Sequence, residues 1–125
     1  MTTFDAIDKV YNIVKGNGLE VYKLIKPAGD ESEYIVINSL PVSGDILQRC
    51  IVNVNIHVKD IQISSSTSAP NTSRLKALAN QFETLLLKNI SNDAHIYLDG
   101  QGAEQDEATE TNYINFRLMC NLINQ

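Results

Sequence analysis

Few side chains in this chain of 125 residues have both the type and the spacing that catalysis needs. His57 stands between Ile56 and Val58, and His95 begins a later apolar segment. A histidine that acts as a general base needs a nucleophile and an orienting acid beside it in space, and the sequence supplies neither at a recognisable spacing. We therefore expect both histidines to be solvated strand residues.

The other candidate chemistries fail on spacing too. Serines cluster in the segment 64–73, and the chain has no G-x-S-x-G nucleophile elbow. The run 99–104 has the acidic residues and glycines of a calcium loop, but Gln101 and Ala103 stand where that loop has Asp or Asn. A dinucleotide loop would need glycine in place of Gln105. Weak calcium binding by the acidic stretch stays open, but we predict no catalytic residue, no cofactor site and no metal site, and hence no enzyme.

The two cysteines, Cys50 and Cys120, both fall on the apolar side of alternating segments. This position predicts two small buried hydrophobic side chains. A disulfide between them would require neighbouring strands in matched register and an oxidising compartment. A zinc site would need further ligands, and the histidines show no ligand spacing to the cysteines.

The composition indicates one ordinary globular domain, residues 1–125, with 43% hydrophobic and 20% charged residues. The net charge of -5 argues against a protein that binds nucleic acid by neutralising phosphates. The first residues have neither a basic start nor an apolar run, and no segment reaches the roughly 18 apolar residues of a membrane helix. We therefore expect a cytoplasmic protein with no membrane partner.

Two segments, near 4–15 and 73–89, have apolar residues at helical spacing and predict amphipathic helices. Alternation of apolar and polar residues predicts two long strands, and shorter apolar runs predict three more. The predicted strands lie near 19–25, 33–38, 47–61, 95–99 and 113–123. The expected helix caps are Thr2 or Thr3 and Thr72 or Ser73.

The order of these elements, α-β-β-β-α-β-β, predicts an α+β fold in which two helices pack on a mostly antiparallel sheet. The first and the last strand pairs are expected to be antiparallel hairpins. The segments 64–73 and 99–112 are expected to be loops. The strand Tyr34–Ile37 is apolar on both sides, so we expect an exposed apolar face there if no helix covers it, and a subunit interface at that face.

The order and length of these elements resemble the tail-terminator and minor tail proteins of long-tailed bacteriophages and prophages. Four parts of the chain carry the resemblance and together span most of it. They are the opening helix Phe4–Val14, the tract Tyr34–Ile37, the strand Arg49–Lys59, and the helix Leu75–Leu87 with the final strand Tyr113–Leu122.

The resemblance implies a virion structural protein without catalysis, whose copies form a hexameric ring that joins the tail tube to the head connector. A lumen through which DNA slides should repel phosphate, which agrees with the acidic composition and with no sequence-specific nucleic-acid binding. The two loops would become ordered on assembly. The expected interface residues are Tyr34, Ile35, Ile37, Asp106 and Glu107.

Two other classes of function stay open. One is a small α+β binding or adaptor module with a ligand groove between helices and sheet, which would need an inward polar group. The other is a small hydrolase or transferase, which needs a nucleophile and a base that the sequence does not place.

Overall fold

The computed structural model describes residues 3–16, 18–27, 32–40, 47–90, 96–106 and 111–123. The element order confirms the predicted α+β fold and adds one small two-stranded sheet. The elements are α1 (Thr3–Val14), β1 (Val21–Lys23), β2 (Glu33–Ser39), β3 (Leu47–Lys59), β4 (Ile61–Gln62), β5 (Ser68–Ala69), α2 (Thr72–Ile90), β6 (Ile96–Asp106) and β7 (Thr111–Ile123).

The main sheet has five strands in the order β1-β2-β3-β7-β6. Its centre is the pair β3 and β7, which are antiparallel and in continuous register from Leu47 opposite Ile123 to Lys59 opposite Thr111. The last hairpin, β6–β7, is antiparallel as predicted, with one irregularity between Leu98 and Gly100. The long alternating segments of the sequence therefore form the middle of the sheet.

The first strand pair differs from the prediction, because β1 runs parallel to β2. A tight three-residue turn follows β1: the Ile25 amide donates to the Lys23 carbonyl at 2.9 Å, and Leu24 has a φ of 72°. The Lys26 ammonium then lies 5.0 Å from the centre of the Tyr34 ring. The connection thus turns back along the sheet before β2 begins, so the two strands point the same way.

Both segments that were expected to be loops contain strand. The acidic stretch is largely β6, which continues to Asp106, and β7 begins at Thr111. The serine-rich segment holds the hairpin β4–β5, closed by an amide of Ile63 that donates to the Thr67 carbonyl at 2.9 Å. Alternation was weak in both segments because most of their side chains are exposed on either side.

Both helices pack on the same side of the sheet. The cap of α2 is Asn71 rather than Thr72 or Ser73, since its side-chain oxygen accepts from the Arg74 amide at 3.2 Å. Phe82 of α2 meets Phe116 of β7 with ring centres 5.3 Å apart. The core combines α1, α2 and one side of the sheet, with these side chains at its centre: Ala6, Ile7, Val10, Val14, Ile35, Ile37, Val52, Val54, Ile56, Leu86, Phe116 and Leu118.

Candidate interaction surface

The other side of the five-stranded sheet is the candidate functional site, because neither helix packs on it. We call this side the open face. Directly opposite residues in the strand register point to the same side of a sheet, so the pairings identify its members. They form three kinds of row across the strands, one aromatic, one rich in asparagine and one apolar.

The aromatic row crosses β2, β3 and β7. The His57 ring stacks between two tyrosines, with ring centres 4.7 Å from Tyr34 and 4.6 Å from Tyr113. Nδ1 of His57 lies 3.0 Å from Oγ1 of Thr111, and the Tyr113 hydroxyl donates to Glu104 at 2.7 Å. Both ring faces of His57 are covered by its neighbours, so this row braces the three strands and the His57 ring is not open for a ligand to stack on.

The asparagine rows lie next to the aromatic row. The Asn115 amide donates to the side-chain oxygens of Asn55 at 2.8 Å and Asn53 at 3.2 Å, and the Asn53 amide donates to Asn38 at 3.1 Å. The chain of amides extends across three strands. It holds the middle of the open face in one arrangement and explains how Asn55 can be buried there.

The apolar row crosses the sheet at the end near the start of β3. The Leu40 amide donates to the Ile51 carbonyl at 2.9 Å, Ile51 lies opposite Met119, and Met119 lies opposite Tyr97. Leu40 is 51% exposed and Tyr97 is 46% exposed. An apolar row with exposed ends, on a side of the sheet that no helix covers, is a candidate contact surface.

Basic and acidic residues lie on different strands of this surface. By the strand register, the basic residues Arg49, Lys59 and Arg117 belong to the open face on the two central strands, and each is exposed. The outer strand β6 carries Asp99 and Glu104, and the register places Glu104 on the open face too, opposite Tyr113. Arg117 and Asp99 approach each other to 3.9 Å within the chain. A basic sheet face beside an acidic edge suits a partner that has the same two surfaces.

The predicted interface residues fall in three different places. Ile35 and Ile37 are 0% exposed in the core, which corrects the expectation that they form an exposed apolar face. Tyr34 does point to the open face, but the rings beside it leave it 3% exposed. Asp106 ends β6, and Glu107 lies outside the described residues. The exposed apolar residues of this surface, Leu40 and Tyr97, were not predicted, since their exposure depends on which strands are neighbours.

The expectation that His57 is solvated is wrong. Its side is polar in sequence, but stacking between Tyr34 and Tyr113 leaves the residue 6% exposed. His95 lies outside the described residues. The expectation for the cysteines is confirmed, since Cys50 is 1% and Cys120 0% exposed. Burial raises the pKa of the Cys50 thiol, and the nearby Ser39 hydroxyl offsets part of this effect.

Two further features of the described residues bear on ligand binding. Among these residues, no three His, Cys, Asp or Glu side chains come together as metal ligands. A small hollow between α2 and the sheet, lined by Leu19, Ile56, Leu78, Gln81 and Phe82, has about 10 Å³ of free volume, room for one water molecule. Neither described helix is long and apolar enough to cross a membrane.

Comparison with known proteins gives no relative: no protein family matches the chain, and no curated protein matches it either.

Proposed function

We propose that the chain is a structural subunit of a long-tailed phage or prophage, a tail terminator whose copies join the tail tube to the head connector. The observation that carries the proposal is the open face of the sheet. Two helices cover one side, and the other side carries an apolar row with exposed ends and a rigid polar centre. A braced flat surface of this kind suits a permanent contact between subunits.

The partner that the charges favour is a second copy of the chain. The open face carries Arg49, Lys59 and Arg117, and the edge strand β6 carries Asp99 and Glu104. When the edge strand of one copy packs on the open face of the next, opposite charges meet. Such a head-to-tail contact closes into a ring if the rotation from one subunit to the next divides a full turn evenly.

The edge strand itself supports this arrangement. Soluble proteins protect a long edge strand with charged side chains, Pro or bulges, and Ile96–Asp106 has no Lys and no Pro. Its sequence has acidic residues and one irregularity, between Leu98 and Gly100. An edge of this kind repels a second acidic edge but accepts a basic partner.

The alternative, a small binding or adaptor module, is less favoured. Such a module is expected to hold its ligand between helices and sheet, where ligand pockets usually have about 300–1,000 Å³; among the described residues, the hollow between α2 and the sheet has room for one water molecule. We propose no catalysis for the same chain, because the His57 ring is held between two tyrosines, and the Thr111 hydroxyl that its Nδ1 contacts at 3.0 Å is buried with it.

The proposal is tested by copurification with the tail-tube and head-connector proteins encoded beside the gene. Tyr97→Asp places a charge in the apolar row of the open face and should reduce the recovery of tail proteins at least about tenfold, because a buried unpaired charge is costly. The control is Phe4→Asp, since Phe4 is 62% exposed on the helix side. Equal recovery with both variants would contradict a contact through the open face. Failure of the wild-type protein to copurify with any tail protein would contradict the phage assignment.

A further inference from the structure

We propose that Cys50 and Cys120 are a thiol oxidation site, which a peroxide converts into a disulfide across the two central strands. The register of β3 and β7 places the two residues directly opposite each other. Neither cysteine is part of a disulfide, and both side chains are buried on the helix side of the sheet. The matched register that a disulfide requires is therefore present.

The backbone hydrogen bonds define the geometry of this pair. On β3 the odd-numbered residues bond to β2, as the Leu40 amide to Ile51 and the Lys59 amide to Ser32 show. The even-numbered residues therefore bond to β7, so Cys50 and Cys120 form a hydrogen-bonded pair with Cα atoms about 5.5 Å apart. This distance lies within the disulfide range of about 4.4–6.8 Å. Cβ atoms of opposite residues are about 4.5–5.5 Å apart, with hydrogen-bonded pairs at the wide end, so these two must approach by at least about 1 Å.

Cys50 must also rotate. Its thiol donates to the Leu40 carbonyl at 3.5 Å, on the side of β2. A change of its χ1 rotamer turns the sulfur from β2 towards β7, where Cys120 lies. The rotation needs no change in the strand register.

The reaction balances with hydrogen peroxide as the oxidant. The thiolate of one cysteine attacks a peroxide oxygen, which gives a sulfenic acid as the O–O bond breaks and water leaves. The second thiol attacks the sulfenic sulfur, the S–S bond forms, and a second water leaves. Two thiols lose two electrons and two protons in total. Burial makes the reaction slow, but Cys50 is three residues from the start of β3, where opening of a strand end gives access.

The bond would close a loop of 70 residues that contains β4, β5, α2 and β6. For a loop of this length, the lost freedom of the unfolded chain favours the disulfide in the folded state by up to roughly a thousandfold. The strain of bringing the two Cβ atoms closer together reduces this preference for the folded disulfide. The oxidised form would be favoured once the protein is outside a reducing cytoplasm.

The test measures the disulfide-to-dithiol ratio at equilibrium in a glutathione redox buffer, with and without concentrated urea. The samples are quenched in acid and alkylated, and intact mass counts the free thiols. We expect the ratio to be at least about tenfold higher for the folded protein than for the unfolded chain. An equal or lower ratio would overturn the proposal, because it would mean that the native geometry opposes the bond.

The matched control is Cys120→Ser with Met119→Cys. It leaves a cysteine one position away in sequence, but position 119 points to the open face, opposite Ile51. This variant should give a lower ratio folded than unfolded. A second arm treats folded wild-type protein with hydrogen peroxide and should give a mass lower by two hydrogens. Conversion to sulfinic acid without a crosslink would also overturn the proposal.

Discussion

Replacing His57 by Ala should destabilise the subunit strongly, although the residue lies on the polar side of its strand. The substitution removes two stacked contacts, with Tyr34 and Tyr113, each worth about 0.5–1.5 kcal/mol. It also removes the hydrogen bond to Thr111, worth about 1 kcal/mol net. The expected loss is about 3 kcal/mol of the free energy of unfolding, a large part of the roughly 5–15 kcal/mol of a typical domain. Urea unfolding followed by circular dichroism measures it.

Two further variants separate the contribution of ring stacking from that of the hydrogen bond to Thr111. His57→Phe keeps a stacked ring and loses only the hydrogen bond to Thr111, so its cost should be about 1 kcal/mol. Thr111→Val removes the same bond from the other side, and the double variant should therefore cost less than the sum of the two. A loss below about 1 kcal/mol for His57→Ala, or an equal loss for Phe and Ala, would refute the stacking account.

Three further predictions follow from the same contacts. Ile37→Asp should unfold the isolated subunit, by several kcal/mol in urea unfolding, because the side chain is fully buried; a folded variant would contradict the described core. In the folded protein the pKa of the Cys50 thiol is raised above its ordinary value of 9.0. The stabilisation that comes from its neutral form is therefore fully present below pH 9.0 and is lost as the pH rises through the raised pKa. The urea midpoint should thus fall at alkaline pH, and less so in Cys50→Ser; identical pH profiles would refute this. Arg74 donates two hydrogen bonds to Glu33, but it is exposed. Arg74→Ala should therefore lower the free energy of unfolding by less than about 1 kcal/mol in the same assay, and a larger loss would contradict the description of this ion pair as a solvated surface contact.

The periodicity of the sequence was enough to predict both helices and the two longest strands, β3 and β7. Their apolar spacing is a local property, and β3 and β7 keep it over 13 residues each. The parallel pairing of β1 was not predictable in this way, because it depends on the turn at Leu24 and the return of the chain past Tyr34.

The candidate site was predictable only in part, because it depends on which strands are neighbours. The residues two positions away from His57 on its strand, Asn55 and Lys59, are both polar. Only the strand register reveals the two tyrosines that bury His57. Tyr34 is buried for the same reason, because the His57 ring on the next strand covers it. The apolar row and the paired cysteines likewise exist only once the strands are aligned.

The most direct test of the proposed assembly is a mixing experiment with charge-reversed copies, followed by native mass spectrometry. One variant reverses the open face, Arg49→Glu with Arg117→Glu, and the other reverses the edge strand, Glu104→Lys. Each variant alone brings like charges together at a head-to-tail contact, and should assemble poorly in the presence of tail-tube protein. A mixture pairs the reversed face with the reversed edge and leaves the remaining contacts as in the wild type, so alternating assemblies should reappear. Assembly of either variant alone at the wild-type level, or no recovery in the mixture, would contradict contact between the open face and the edge strand.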